Sequence, residues 1–251
     1  MIKIAVYGKG GIGKSTTVSN VAAILAKKGM KVMQVGCDPK ADSTINHHYG
    51  RNLRTVLDLV REKGTNVTLE EMVLEGDNGV LCVEAGGPTP GLGCAGRGII
   101  TAFETLENHK AFEIYKPDIV IYDVLGDVVC VGFSMPIREG YADKVFIVTS
   151  GENMAIYAAA NIAMAVDNFK ERGYASLGGI VLNRRNVDKE DERIGEFVTE
   201  INSKVVGELD FSKEVQEAEA LHTTVINAYP DSKIAAQYMN LADSILKECQ
   251  I

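Results

Sequence analysis

The sequence predicts an α/β fold, with one mostly parallel sheet of about seven or eight strands and helices on both faces. Short apolar runs rich in Val and Ile alternate along the chain with segments whose apolar residues recur at helical spacing. The short runs are apolar almost throughout, which is typical of parallel strands buried on both sides. We predict strands at residues 2–7, 31–36, 80–84, 118–123, 143–149, 177–182 and 204–208, and helices at 15–28, 52–62, 98–109, 153–171, 188–201, 214–221 and 232–248.

Composition limits the functions that the chain can have. Its 251 residues contain no linker or repeat, and we expect a single domain over residues 1–251. The net charge of −8 argues against nucleic acid as the main partner, because phosphate backbones require clustered Lys and Arg. The first strand begins at residue 2 and no apolar run reaches the roughly 20 residues of a membrane span. We therefore expect a cytoplasmic protein without a leader peptide.

The first predicted strand leads into a glycine-rich loop, GKGGIGKST at residues 8–16, and a predicted helix follows. The spacing G-x4-G-K-S between a strand and a helix is typical of a phosphate-binding loop, or P-loop. Glycines let backbone N–H groups turn towards a phosphate, and the helix N-terminus adds partial positive charge. Lys14 would reach the terminal phosphates and Ser15 would hold Mg²⁺. The sequence thus predicts a single P-loop NTPase domain.

Carboxylates follow two of the predicted strands. Asp38 and Asp42 come after the second strand, and Asp123, Gly126 and Asp127 come at or after the fourth. Ligands of parallel sheets bind beyond the carboxyl ends of the strands. Asp38 is placed to meet Mg²⁺ or its water, Asp42 to orient an attacking water, and Gly126 to offer its N–H to the γ-phosphate, while Asp123 suits a Walker-B carboxylate. For the first pair, a simple Asx turn is the alternative. Four carboxylates around one P-loop favour a hydrolase over a passive binder.

The five cysteines differ in context. Cys37 and Cys82 fall at or within apolar strands and are predicted to be small buried residues, while Cys249 has no neighbouring ligand. Cys94 lies in a Gly- and Pro-rich stretch before a predicted helix, and Cys130 follows just past a strand. Backbone N–H groups in such loops stabilise thiolates, which suits an iron–sulfur cluster. Two unrelated loop cysteines are the alternative.

A 4Fe-4S cluster requires four thiolates, and the two loop cysteines of one chain supply half of them. A two-fold homodimer with the cluster on its axis would supply all four, because symmetry doubles every ligand. The adjacent His47 and His48 would face different ways on a helix, and we expect them to be a solvated surface pair rather than a metal site.

These motifs resemble those of the nitrogenase iron protein and its close relatives, the ATP-dependent electron-donating reductases. The resemblance runs from Ile2 to about Pro230. It is carried by YGKGGIGKSTT at 7–17, GCDPKADST at 36–44, GGPTPGLGCAGRGIITA at 86–102, YDVLGDVVC at 122–130, MPIRE at 135–139 and SGENMA at 150–155. It implies a homodimer that couples MgATP hydrolysis to low-potential electron transfer from one bridging 4Fe-4S cluster to a nitrogenase-like acceptor protein. A ferredoxin or flavodoxin would be the electron donor.

The resemblance also implies roles for individual residues. The nucleotide and Mg²⁺ would be bound by Gly8, Gly10, Gly11, Ile12, Gly13, Lys14, Ser15, Thr16, Asp123, Gly126 and Asn183, with Asn183 at the adenine. The catalytic set would be Lys9, Lys14, Asp38, Asp42 and Asp127, with Lys9 reaching the nucleotide of the partner. Asp38 and Asp42 would belong to switch I, and Asp123 and Asp127 to switch II. Cys94 and Cys130 would ligate the cluster, and Arg97 would serve docking or regulation by ADP-ribosylation.

Two departures qualify the resemblance. Val131 follows Cys130 where the family usually has Gly, and the chain is shorter than the nitrogenase iron protein. We therefore expect a nitrogenase-like reductase first and a true nitrogenase iron protein second. Partitioning ATPases share the P-loop but would need a basic surface or tail, whereas the last predicted helix has apolar residues at core spacing. Iron–sulfur scaffold ATPases would need closely spaced cysteines late in the chain, which this sequence lacks.

Overall fold

A computed structural model describes residues 1–87, 95–126, 135–137, 141–170 and 173–250. Three of the predicted site residues, Cys94, Asp127 and Cys130, lie outside these ranges. Within the described ranges, no helix is both long and apolar enough to cross a lipid bilayer.

Eight strands form one sheet, which confirms the predicted fold class. They are β1 Ile2–Tyr7, β2 Val32–Gly36, β3 Leu74–Glu75, β4 Leu81–Glu84, β5 Ile119–Asp123, β6 Lys144–Thr149, β7 Ser176–Asn183 and β8 Val205–Leu209. Their order across the sheet is β3-β4-β2-β5-β1-β6-β7-β8. Every pair is parallel except the edge pair of β3 with β4. The two-residue β3 is the strand that the sequence pattern missed, because it is too short to show a period.

Ten α-helices connect the strands of the described chain. They are α1 Lys14–Lys27, α2 Val56–Lys63, α3 Leu69–Met72, α4 Ala95–Asn108, α5 Ala111–Tyr115, α6 Asn153–Lys170, α7 Glu190–Glu200, α8 Lys213–Ala220, α9 Val225–Ala228 and α10 Lys233–Glu248. The seven predicted helices are all present. Helix α2 starts later than predicted because the Thr55 hydroxyl caps it by accepting a hydrogen bond from the N–H of Asp58.

Side chains of the central strands alternate between two buried layers. In β1, Ala5 and Tyr7 pack into one hydrophobic layer, and Ile4 and Val6 pack into the other. The alternation shows that helices cover both faces of the sheet, since a strand with one wet face would alternate apolar and polar residues. The last helix closes the second layer as predicted, with four buried residues at helical spacing: Ile234, Tyr238, Leu241 and Ile245.

The register of the central strands brings their carboxyl ends together at one edge of the sheet. Gly36 of β2 lies beside Asp123 of β5 on one side and Glu84 of β4 on the other. Asp123 in turn lies beside Val6 of β1, and the P-loop begins two residues after Val6. Segments that are far apart in sequence therefore leave the sheet side by side.

The prediction of a solvated histidine pair is wrong. A 3-10 helix, Ile45–His47, turns back over the sheet edge and buries both rings. His47 Nε2 lies 2.8 Å from Oε1 of Gln34, a polar residue in the middle of β2. Burial lowers the pKa of His47 to about 3, which keeps this imidazole neutral. The prediction holds only for an exposed helix, and Gln34, a polar residue within an apolar strand, was the signal of a buried partner.

Candidate nucleotide-binding site

The P-loop takes a backbone conformation that its glycines permit. Gly13 has φ 87°, in the left-handed region, and a Cβ atom there would lie 2.5 Å from Nδ2 of Asn183. At Gly8 an added Cβ would lie 2.4 Å from the carbonyl oxygen of Val148 in β6. Both positions are therefore closed to side chains. By contrast, an added Cβ at Gly10 or Gly11 would meet nothing within 4 Å, because these two residues face an open cavity.

The cavity beside the P-loop has a volume of about 900 Å³ and gathers most of the predicted nucleotide residues. Its lining includes Lys9, Gly10, Gly11, Gly13, Lys14, Ser15, Thr16, Asp38, Asp42, Gly126 and Asn183. A volume of this size is typical of ligand pockets in proteins. Two polar edges of the cavity, the P-loop with the start of α1 and the segment after β2, supply N–H groups, hydroxyls and carboxylates. This donor set matches the chemistry of a nucleotide phosphate with a divalent cation.

The P-loop lysine is already paired. Lys14 Nζ lies 2.8 Å from Oδ1 of Asp123, and the two side chains are only 9% and 2% exposed. The second oxygen of Asp123, Oδ2, accepts a hydrogen bond of 2.6 Å from the hydroxyl of Ser43. Because the pair is buried, each charge needs an opposite charge beside it, either its present partner or another group that carries the partner's charge. A phosphate that enters the cavity offers Lys14 such a replacement and leaves one oxygen of Asp123 open.

Gly126 packs directly on the P-loop backbone. An added Cβ would lie 2.1 Å from the carbonyl oxygen of Gly8 and 3.0 Å from the amide nitrogen of Gly10. No side chain fits there, since the obstacle is backbone rather than a flexible side chain. The segment after β5 thus touches the phosphate-binding loop one residue before Asp127, which lies outside the described residues.

Asp38 and Asp42 both line the cavity, and Asp42 is exposed. The Asx turn that was the alternative for this segment is also present, since Oδ1 of Asp38 accepts a hydrogen bond of 2.9 Å from the N–H of Lys40. The two interpretations are compatible. The turn fixes the local path of the chain and uses only Oδ1 of Asp38, while both Asp38 and Asp42 line the cavity.

The end of β7 and the residues that follow it contact the backbone of the P-loop. Asn183 Nδ2 donates a 2.7 Å hydrogen bond to the carbonyl oxygen of Ile12. Arg185 Nη2 donates one of 2.9 Å to the carbonyl oxygen of Gly11. The hydroxyl of Thr16 donates a hydrogen bond to Glu219, which lies 203 positions later in the sequence. Arg185 and Glu219 were not predicted, because no local pattern links them to the P-loop.

A buried polar layer lies beneath the segment after β2, and the sequence analysis missed it. Thr44 donates two hydrogen bonds of 2.7 Å, from its N–H and its hydroxyl, to Oε1 of Glu84. Gln34 Nε2 donates to the carbonyl oxygen of Ser43 at 2.9 Å. Burial raises the pKa of Glu84 to about 8, and the nearby Asp123 adds to the effect, so that this carboxyl is protonated at neutral pH. A glutamate that closes an apolar strand was the available signal.

The cysteines of the described chain are not placed as metal ligands. Cys37 and Cys82 are buried, as predicted, and burial raises the pKa of the Cys37 thiol well above its usual value. In the described part of the chain, no group of three or more His, Cys, Asp and Glu side chains is arranged to hold a metal ion. The two predicted cluster ligands follow Gly87 and Gly126, where the described chain leaves the same edge of the sheet. Arg97 is exposed in the first turn of α4.

Two comparisons with known proteins bear on this site. Over residues 2–251 the chain matches the family of 4Fe-4S iron sulfur cluster binding proteins, NifH/frxC family. It is 51% identical over 249 residues to the nitrogenase iron protein of Methanospirillum hungatei, covering 98% of this chain and 88% of the relative. It is 52% identical over 246 residues to the nitrogenase iron protein of Methanococcus voltae, with the same two coverages.

Solved structures share the fold at low sequence identity. The cell division ATPase MinD of Pyrococcus furiosus superposes with a TM-score of 0.77 at 19% identity, covering 98% of this chain and 99% of that chain. A ParA family ATPase from Chlorobium tepidum gives 0.73 at 18% identity, covering 96% and 97%. These similarities support the α/β fold and nothing narrower.

Proposed function

Because the chain belongs to the NifH/frxC family of 4Fe-4S iron–sulfur cluster binding proteins, we propose that its P-loop cavity binds MgATP and controls electron transfer to an acceptor protein. The chain is an ATP-dependent reductase component of the nitrogenase iron protein type. Its cofactors are a 4Fe-4S cluster, which supplies the low-potential electron, and MgATP. The assignment of individual residues to these roles is our proposal.

One observation carries the assignment of the nucleotide site, namely the buried ion pair of Lys14 with Asp123. With MgATP bound, Lys14 would pair with a terminal phosphate instead of the carboxylate, Ser15 would hold the Mg²⁺, and the freed oxygen of Asp123 would be available to the metal site. Gly8, Gly10, Gly11, Ile12, Gly13 and Thr16 complete the phosphate cradle. Asp38 would meet the metal or its water, and Asp42 would orient the attacking water. Asn183, which lines the cavity, would contact the adenine.

A change of partner at Asp123 would affect the cluster ligand Cys130, because both residues belong to one short segment of the chain. Asp123 precedes Gly126, which lies against the P-loop, and Asp127 and Cys130 follow within four residues. We assign Asp127 to sensing the γ-phosphate or Mg²⁺, and Cys94 and Cys130 to binding the cluster. A movement of Asp123 and Gly126 on nucleotide exchange would then be felt at Cys130. About 5.5 kcal/mol of differential affinity suffices to drive such a switch from 1:99 to 99:1.

The count of cysteines supports a homodimer of single-domain chains. Two ligands per chain complete a 4Fe-4S site only when a second copy supplies the other two. In that dimer Lys9 reaches the nucleotide of the partner, which makes hydrolysis depend on dimerisation. Arg97, exposed in the first turn of α4 and three residues after Cys94, would lie where an acceptor docks. We propose a ferredoxin or flavodoxin as donor and a cytoplasmic location.

We propose an acceptor from a nitrogenase-like system. Val131, which replaces the family's usual Gly beside Cys130, would alter the packing or hydrogen bonding next to the cluster. The second candidate is a true nitrogenase, which the names of the relatives favour. Electron-transfer assays with purified acceptors of each type decide between them. Transfer to a dinitrogenase at the rate of an authentic iron protein would favour the second candidate.

Anaerobic purification with iron tests the cluster assignment. We expect about two iron atoms per chain, from four irons shared by two chains, and a reducible EPR signal. Cys94→Ala should lose both and remain folded, while Cys249→Ala, a half-buried cysteine outside the motifs, should keep both. A wild-type protein that hydrolyses ATP but contains no iron would refute the electron-donor role.

A further inference from the structure

The segment that carries Asp38 and Asp42 leaves the sheet and returns to it at almost the same point. It leaves β2 after Gly36 and returns at Ser43 and Thr44. A Cβ atom at Gly36 would lie 2.6 Å from the Cβ of Ser43 and 2.1 Å from Oε2 of Glu84. The two ends of the loop, Gly36 on one side and Ser43 with Thr44 on the other, therefore lie close together, and we call this point the neck. Asp38 and Asp42, in the loop beyond the neck, line the cavity.

Two acidic residues from neighbouring strands hold the returning end of this neck. Asp123 of β5 accepts from the hydroxyl of Ser43, while Glu84 of β4 accepts from both the N–H and the hydroxyl of Thr44. The two acceptors differ in what else they bind. Asp123 also carries the ion pair with Lys14, whereas Oε2 of Glu84 has no hydrogen-bond partner among the described residues. Glu84 is 1% exposed, so solvent does not compete for Thr44.

We propose that Glu84 is a positioning residue for ATP hydrolysis, the fixed anchor of the segment that presents Asp38 and Asp42, while the bond of Ser43 to Asp123 is the exchangeable one. This inference rests on the proposed nucleotide site. When Lys14 leaves Asp123 for a phosphate, Asp123 loses its cation and its bond to Ser43 changes. Thr44, held by Glu84, keeps its place, and the backbone of the neck stays on the sheet while the bond of the Ser43 hydroxyl to Asp123 changes.

The anchor has a second support that does not involve Asp123. Gln34 Nε2 and the Ser19 hydroxyl, at 3.0 Å, both donate to the carbonyl oxygen of Ser43. The backbone of the neck is thus fixed from β2, β4 and α1. The hydroxyl of Ser43 donates to Asp123 and also accepts a hydrogen bond of 3.0 Å from Gln34 Nε2, which remains in place when Asp123 changes partner. Loss of the bond from the Thr44 hydroxyl to Glu84 should therefore misplace the carboxylates of Asp38 and Asp42 without opening the P-loop.

The test compares Thr44→Val with Thr224→Val in the full-length, iron-loaded protein. Both threonines are fully buried, but the Thr224 hydroxyl finds no hydrogen-bond partner in the described part of the chain, so its loss controls for the substitution itself. Glu84→Ala removes the anchor, and Glu84→Gln retains an acceptor at Oε1. The measurements are kcat and KM for MgATP, the Kd for MgADP, and the melting temperature.

We expect Thr44→Val to lower kcat about tenfold, the effect of one lost hydrogen bond, while the Kd for MgADP changes less than about threefold. Glu84→Gln should stay within about threefold of wild type in kcat, and Glu84→Ala should fall below Thr44→Val. If Glu84→Ala does not fold, the two valine variants decide alone.

Equal kcat values for the two valine variants would overturn the inference. So would a parallel loss of MgADP affinity in Thr44→Val, which would indicate general damage to the site, or an equal loss in Glu84→Gln and Glu84→Ala. Failure of the proposed function is distinguishable, because the wild-type protein itself would then not hydrolyse MgATP, and that result would overturn both.

Discussion

Replacement of Glu84 by Gln should remove a pH dependence from the stability of the protein. The carboxyl is buried, and burial raises its pKa from an ordinary 4.5 to about 8, with Asp123 and Asp42 adding negative charge nearby. Between these two pH values the folded protein keeps the proton that the unfolded chain has released. Unfolding then releases a proton, so that the stability contributed by this group is complete below pH 4.5 and is lost as the pH rises towards 8.

The magnitude follows from the interval between the two pKa values. At about 1.36 kcal/mol for each pKa unit, the full loss between pH 4.5 and 8 amounts to about 5 kcal/mol, as an upper value. Between pH 6 and 8 it amounts to about 2 kcal/mol. For a chain of this length, 1 kcal/mol corresponds to about 2–4 °C in melting temperature. The advantage of Glu84→Gln over wild type should therefore grow by about 4–8 °C from pH 6 to pH 8.

Thermal unfolding followed by far-UV circular dichroism is the suitable assay, because the chain contains no tryptophan. Glu71→Gln is the matched control. The pKa of Glu71 is lowered, chiefly by its hydrogen bond with Lys63, so its contribution changes only below the ordinary value and is constant from pH 6 to 8. Parallel curves for wild type and Glu84→Gln across this range would refute the raised pKa, and with it the description of Glu84 as a neutral acceptor of Thr44.

Three further outcomes are expected. Lys14→Met leaves the buried carboxylate of Asp123 without its cation, and we expect the free energy of unfolding to fall by about 3–5 kcal/mol. Thermal unfolding without nucleotide measures this loss, and an unchanged melting temperature would contradict the buried pair. Gly126→Ala forces a Cβ within 2.1 Å of P-loop backbone and should lower ATP hydrolysis at least about tenfold, whereas Gly195→Ala, where an added Cβ meets nothing, should not. Lys9→Ala should abolish hydrolysis and keep the iron content, and normal turnover would argue against catalysis across the dimer.

Much of the fold was predictable because its signals are local. The seven predicted strands are short apolar runs, and the seven predicted helices have apolar residues at helical spacing; both patterns show within a window of residues. The P-loop was predictable for the same reason, since the residues from Gly8 to Thr16 are contiguous and each has a defined task. Even the placement of Asp38 and Asp123 at one edge required only the rule that parallel strands end together.

The unpredicted contacts join residues whose separation in sequence is large. Arg185 bonds to Gly11 across 174 positions, and Thr44 bonds to Glu84 across 40. No periodicity specifies such a pair, because the register between strands that are far apart in sequence is set by the packing of the whole sheet. The burial of His47 has the same origin. It depends on Gln34, a residue on a strand that precedes it and that the pattern marked only as apolar.

These separations also govern when the site comes into existence. The P-loop is among the first parts of the chain to be synthesised, but Lys14 finds its carboxylate 109 positions later and Ile12 finds Asn183 171 positions later. A nascent chain therefore has the phosphate loop long before it has the residues that shape it, and tight nucleotide binding must wait until β7 has joined the sheet. Nucleotide at 100 times its Kd then adds about 2.7 kcal/mol to the stability of the completed fold alone, so that the ligand selects finished molecules over unfinished ones.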